Sequence, residues 1–136
     1  MRKILIVATD ENNGIGKDGE IPWENKKDKR FFREVTTEEP NNLLICGRLT
    51  YETMKKMVML NREFCVITKE ELEGVKTAKT IEEALKNTEH TYDNVFFVGG
   101  ESIYEESQYI VDEMIITKIE GDYECDKKFK PDYKLI

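Results

Sequence analysis

The stretch Asn42–Met57, NLLICGRLTYETMKKM, decides the fold. Its first half, NLLICG, is an almost continuous apolar run ending in Gly47. Such a run reads as a strand covered on both faces, the signature of a parallel sheet under helices. Its second half, RLTYETMKKM, reads as a helix, so strand, glycine and helix follow one another directly. The same alternation extends in both directions along the chain. KILIVA (Lys3–Ala8), FCVIT (Phe64–Thr68), NVFFVGG (Asn94–Gly100) and EMIITKI (Glu113–Ile119) read as further strands. Between them lie a helix carrying Asp28, a helix in TIEEALKN with Thr80 and Glu83 in capping-box spacing, and a helix with Ser102 and Glu105 in the same spacing. A polar, glycine-containing loop is expected through residue 21. The acids of the tail EGDYECDKKFKPDYKLI are expected to face solvent along an edge. Strands alternating with helices make an α/β fold with a mostly parallel central sheet flanked by helices. Ligands in such sheets bind beyond the carboxyl ends of the strands.

The chain has 136 residues, 39% hydrophobic and 36% charged, the composition of one soluble globular domain spanning residues 1–136. No apolar run is long enough to span a membrane, so no membrane partner is expected. The amino terminus reads as a first strand rather than a signal peptide. A net charge of −7 argues against a nucleic-acid partner, because neutralising phosphates needs clustered cations. The one such cluster, Lys26–Arg30 (KKDKR), has the bland reading of a solvated helix face. Cys46, Cys65 and Cys125 are odd in number and far apart, which fits reduced, buried thiols and a cytoplasmic setting. No metal-ligand spacing exists, no metal is expected, and the single histidine, His90, sits in a polar stretch.

Asp28 stands out. Counting by helical spacing, Phe31, Phe32 and Val35 share its face, so a carboxylate opens an apolar stripe. Burying it is costly without a partner, and such acids gather at functional sites with raised pKa values. The plain alternative is an acid favoured by the helix dipole in the first turn. Three features mark the carboxyl ends of the strands: Gly47-Arg48-Leu49-Thr50, Thr68-Lys69 and Gly99-Gly100. Free amides at a helix start, an arginine fork and close-approach glycines suit a phosphate-bearing cofactor. Each junction alone is also an ordinary connection.

These residues resemble the dihydrofolate reductase family. Gly14-Ile15-Gly16, Ile21-Pro22-Trp23, Asp28, Phe32 and Thr36 match its amino-terminal signature in spacing. CGRLTYE, VGGESIY and ITKIEGDYECDKKF are similar to its later segments, in the family's order, from Met1 to about Tyr133. The resemblance implies a three-layer dihydrofolate-reductase-like fold that here lacks the carboxy-terminal hairpin. It implies NADPH as cofactor and dihydrofolate as small-molecule substrate, reduced to tetrahydrofolate. Asp28 would hold the pteridine and support protonation, with Trp23 beside it to order water. Core packing is the alternative for Trp23. Ile6 and Val98 would offer carbonyls, and Ala8, Phe32 and Met54 would line the pocket. Thr117 would reach Asp28 through water, and Arg62 would grip the glutamate tail. Phe32 as plain core and Arg62 as a solvated cation are the alternatives. On the cofactor side stand Ala8, Ile15 and Gly16, then Arg48, Leu49 and Thr50. Thr68 and Lys69, with Arg48, are candidates for the 2′-phosphate. Gly99, Gly100, Ser102, Ile103 and Tyr104 would line the pyrophosphate and nicotinamide region, with a cis peptide between the two glycines.

Three departures from the family pattern carry expectations. The sequence stops at Ile136, where the family continues through two strands, so an exposed sheet edge is expected. The expected state is a monomer, with that edge offering a route to a dimer. Lys29 stands where the family has an apolar residue, and Met54–Arg62 lacks the family's prolines and glycines, which affects the aim of Arg62. Two other readings remain. One is a shortened homologue that binds NADPH or folate without efficient turnover. The other is a reductase of another pterin or a pyrimidine, against which Pro22-Trp23 and Asp28 weigh.

Overall fold

A computed structural model describes residues 1–86, 88 and 91–135; Asn87 and the expected polar-stretch histidine, His90, lie outside the described residues. Six strands form one sheet: β1 (Arg2–Thr9), β3 (Asn42–Gly47), β4 (Arg62–Ile67), β5 (Lys76–Ala78), β6 (Asn94–Phe97) and β7 (Glu113–Lys118), in the order β5-β4-β3-β6-β1-β7. Every pairing within it is parallel, with Leu44 level with Phe64 and Phe96, and Ile4 with Phe96. The apolar run of β3 is buried along its length because β4 and β6 flank it and helices cover both faces. β7 pairs on one side only, with β1, and no strand covers its outer edge among the described residues.

Helices α1 (Lys26–Thr37) and α2 (Arg48–Met54) cover one face of the sheet. Phe32, Val35, Tyr51 and Met54 pack there on Ile4, Ile6, Leu44, Phe96 and Val98. Helices α3 (Ile81–Leu85) and α4 (Glu101–Ser107) cover the other, through Ile81, Ala84 and Ile103 against Leu43, Ile45, Val95 and Phe97. These are the three layers the sequence leads one to expect.

Several local expectations are corrected. The stretch through residue 21 is not all loop: β2 (Gly14–Gly16) pairs antiparallel with β8 (Lys127–Lys128). The Thr80 cap forms, its hydroxyl accepting from the Glu83 amide at 3.1 Å. The Ser102–Glu105 capping box does not. Gly100 is the N-cap of α4 without a side-chain bond, which puts exposed Ser102 inside the helix. On α1 the covered stripe is Asp28, Phe32, Val35 and Thr36, while Phe31 is exposed. At 3.6 residues per turn Phe31 falls off the centre of that stripe, and Thr36 lies on it.

Asp10, which no sequence pattern singles out, ties β2 and β8 to the sheet. Its buried carboxylate accepts from the amides of Asn12 (2.9 Å), Gly14 (2.7 Å) and Tyr123 (3.0 Å). Burial alone would raise its pKa, but the Tyr123, Gly14 and Asn12 amides outweigh it and hold it below the usual range. The tail then alternates as expected. Asp122, Glu124 and Asp126 face solvent, while Cys125 and Phe129 are buried. A Cβ on Gly14 would stand 2.5 Å from Cys125 Cβ and Sγ and 2.8 Å from Asp10 Oδ1. Gly14→Ala is therefore expected to cost about 1–3 kcal/mol, read as a lowered midpoint in urea unfolding.

Candidate active site

Asp28 sits in the first turn of α1. Asn25 caps the helix, its side-chain oxygen accepting from the Asp28 amide at 3.0 Å. That fixes the backbone but leaves the carboxylate unpaired: no hydrogen bond or ion pair engages it among the described residues. It is half-buried, and burial raises its pKa above the usual carboxylate range. Both readings of this residue hold at once: it stands in a helix first turn, and its side chain lies on the covered stripe.

Part of the expected substrate set comes together on the sheet face that α1 covers. Ile6, Val98, Phe32 and Met54 belong to a single apolar cluster on the α1–α2 face. The Ile6 carbonyl accepts from the Tyr104 hydroxyl at 3.0 Å. Burial pushes the Tyr104 phenol up, and the Asp28 carboxylate adds to the rise, so the two groups share one electrostatic environment. Ala8 is level with Thr117 across β1 and β7. Trp23 is buried edge-on to Tyr123 (centroids 5.4 Å) in a cluster with Ile119, Cys125 and Ala8. It packs the tail residues Tyr123 and Cys125 against Ala8 and Ile119.

Arg62 lies apart from the segments at the carboxyl ends of the strands. It opens β4, at the amino end of that strand, and is only 7% exposed. Its guanidinium donates to Thr36 Oγ1 (3.2 Å), Met57 Sδ (3.5 Å) and the Val58 carbonyl, and its Nε is buried without a partner. Thr36 in turn donates to the Phe32 carbonyl at 2.7 Å. Met54–Arg62 thus aims the arginine at α1 without prolines, because Met57 and Val58 hold its fork. Burial pulls the guanidinium below its usual pKa, and the Arg33 charge adds to the fall. Asp28, Phe32 and Thr36 then mark one line along α1, ending at Arg62.

The remaining segments meet at the carboxyl ends of the strands, as expected. The Gly47 amide donates to the Gly99 carbonyl at 2.8 Å, joining the β3 and β6 exits. The Gly99–Gly100 peptide is cis, and Gly99 has φ +122°. A Cβ at either glycine would come within 3.3 Å of Thr50 Oγ1, and one at Gly99 would also meet the Tyr104 hydroxyl. The first-turn amides of α2 and α4 have no side-chain cap. Leu49, Lys69 and Ser102 are exposed, Thr50 and Thr68 half-buried, and Ile103 and Tyr104 buried. Ile15 packs on the cluster of Leu5, Val7, Tyr104 and Phe129, with Gly16 beside it in β2. Arg48 carries two acids, Glu52 at 3.0 Å and Glu70 at 2.5 Å. Glu70 was not singled out from the sequence, yet it sits on the cation expected to hold phosphate.

The three thiols are free and buried. Burial pushes Cys46 up to about 12 and Cys65 up to about 11, which leaves them unreactive.

A family model described as dihydrofolate reductase matches residues 3–135. The chain belongs to the dihydrofolate reductase family. A relative named dihydrofolate reductase from Buchnera aphidicola subsp. Acyrthosiphon pisum is 33% identical, over 96% of this chain and 80% of its own length. Another of that name, from Enterococcus faecium, is 34% identical over 88% of this chain and 74% of its own. A solved dihydrofolate reductase from Enterococcus faecalis, complexed with NADP(H) and RAB-propyl, superposes with a TM-score of 0.86 at 31% identity. It covers 98% of this chain and 80% of that one. No helix among the described residues is long and apolar enough to cross a membrane.

Proposed function

We propose that Asp28 manages the proton, and the line from Asp28 to Arg62 seats the substrate, in an NADPH-dependent reduction of 7,8-dihydrofolate to 5,6,7,8-tetrahydrofolate. Reduction of dihydrofolate is the reaction of the family to which the chain belongs. The observation that carries the residue assignment is Asp28 itself: an unpaired, half-buried carboxyl with a raised pKa, on the same helix stripe as Phe32 and Val35. A flat heterocycle with ring N–H and amino donors is the complement such a carboxylate lacks. Phe32 and Met54 flank it, and the carbonyls of Ile6 and Val98 can accept from the pteridine's amino groups. A carboxyl with a raised pKa holds its proton to higher pH than a free one and so supports protonation of N5, directly or through water ordered beside Trp23 and Thr117. Arg62, with an unpaired Nε and a fork held by Thr36, Met57 and Val58, receives the carboxylate at the far end.

The donor set at the strand exits fits NADPH. Uncapped amides of α2 and α4, the Thr50 hydroxyl and the bare Gly99–Gly100 backbone suit phosphates, and Arg48, Thr68 and Lys69 suit the 2′-phosphate. Ala8, Ile15, Gly16, Ser102, Ile103 and Tyr104 complete the cradle, with Leu49 at its rim. Hydride for C6 comes from the nicotinamide once NADPH is bound. The buried, free thiols suit a reducing cytoplasm.

Glu70 competes for Arg48 with any phosphate placed there. Glu70→Gln is expected to lower the KM for NADPH severalfold and leave that for NADH nearly unchanged, in steady-state assays with both cofactors. The function itself is tested by NADPH oxidation with dihydrofolate. Turnover that collapses in Asp28→Asn supports the assignment, and absence of turnover from folded protein returns the case to a binding homologue.

A further inference from the structure

One long edge of the sheet has no neighbour. β7 pairs with β1 alone, and among the described residues no backbone hydrogen bond reaches its outer side. Its apolar centre, Met114, Ile115 and Ile116, is therefore only half-buried, whereas the apolar run of β3 is fully covered. Edge strands are commonly blunted by proline, by a charge at the centre or by shortness. The opposite edge, β5, is three residues long. β7 is six residues long and keeps its charges at its ends. The pairing with β1 fixes which groups face outward. The Asp112 amide donates to the Lys3 carbonyl. Alternation along the strand then turns Met114 and Ile116 toward β1, and leaves the N–H and C=O groups of Glu113, Ile115 and Thr117 pointing away from the sheet.

We propose that β7 is an interface at which two copies of this chain pair antiparallel about a twofold axis at Ile115, joining two six-stranded sheets into one. Only outward-facing residues can exchange backbone bonds. Ile115 thus meets Ile115 of the second copy, and Glu113 meets Thr117. The residues between them follow, Met114 opposite Ile116 and Asp112 opposite Lys118. Charge selects this register. Neither Asp112 nor Lys118 takes part in an ion pair among the described residues. The Asp112 carboxylate is fixed at the edge by the Lys3 amide, which donates to it at 2.8 Å. The twofold axis sets each charge opposite its complement at both ends of the contact. The neighbouring bonded registers put Lys118 against Met114 or Ile110 and leave both charges unmatched. A strand that matches its own reverse in charge and in apolar centre fits a second copy of itself. The contact is isologous and closes at two chains, instead of leaving the monomer that the sequence leads one to expect.

Sedimentation velocity is expected to show a monomer–dimer equilibrium with a dissociation constant on the order of 10 μM, fitting a contact smaller than a standard interface. Lys118→Asp alone, or Asp112→Lys alone, sets like charges opposite each other at both ends and should weaken the dimer about tenfold. Mixed in equal amounts, the two variants match again, and a heterodimer should form as readily as the wild type. Glu113→Pro removes an outward amide from each copy while sparing the ladder to β1, and should give a folded monomer. Circular dichroism checks the fold of each variant. Amide exchange at Glu113, Ile115 and Thr117 should slow as the wild type is concentrated, while Met114 and Ile116 stay protected throughout. A wild type that remains monomeric at about ten times that dissociation constant overturns the proposal. So does a dimer that survives Glu113→Pro, a pair of charge variants that fails to associate on mixing, or association that leaves exchange at the three outward amides unchanged.

Discussion

Asp28→Asn is expected to lower kcat/KM for dihydrofolate about a hundred- to a thousandfold at neutral pH and, at the same time, to raise the melting temperature. The two halves have one cause. In the wild type the carboxyl lies half-buried without a partner, and burial raises its pKa. An acid whose folded pKa exceeds its unfolded value is fully tolerated below the unfolded pKa. The native state loses that contribution as pH rises through the folded pKa. At neutral pH the fold therefore carries the cost of an unpaired carboxylate, and the amide removes it. The amide also lacks the proton to give, so activity falls. The pH profile separates this from a packing defect. Wild-type kcat should decline as pH rises through the Asp28 pKa, and the variant's residual rate should lose that limb. A variant with lower activity and lower stability would point to damage at the Asn25 cap instead. Lower activity together with higher stability would mark a site in which function is held against stability.

The anomaly of Asp28 is legible because it is periodic: an acid in a stripe otherwise apolar. The sheet was legible for the same kind of reason. β3 runs Asn42–Gly47 as read, since a strand buried on both faces has to be an unbroken apolar run. What escaped has no periodic signature. β2 and β8 are three and two residues long, and their pairing, like the Asp10–Tyr123 bond beside it, joins residues more than a hundred apart in sequence. β5 is three residues added to the sheet edge. The Ser102–Glu105 spacing misled because the chain enters α4 straight from Gly100, leaving no separate capping residue. Arg62 could be named but its setting could not, since its three acceptors come from Thr36, Met57 and Val58, and only the folded chain brings Thr36 there. Glu70 is the sharpest omission: nothing in the sequence around Lys69 marks it, and only the fold puts it on Arg48.

Arg62→Gln is expected to raise the KM for dihydrofolate about a hundredfold, equivalent to about 2.7 kcal/mol and within reach of a charge-assisted forked contact. The fall in kcat should be much smaller, because Arg62 lies at the opposite end of the α1 line from Asp28. Arg62→Lys should recover only a part, since an ammonium keeps the charge but cannot match the fork. Arg62 also has a structural share, through Thr36, Met57 and Val58, and its loss lowers stability as well. A truncated substrate separates the two. A dihydropterin without the glutamate tail has no carboxylate for Arg62, so wild type and Arg62→Gln should process it with the same kcat/KM. If the variant is equally impaired on tailed and tailless substrates, Arg62 acts by holding α1 against β4 rather than by binding the tail. Unchanged KM values for both would remove it from the substrate site altogether. The tailless substrate should also be the one on which Asp28→Asn still fails, which places the two residues at separate ends of one site and ties each to its own part of the ligand.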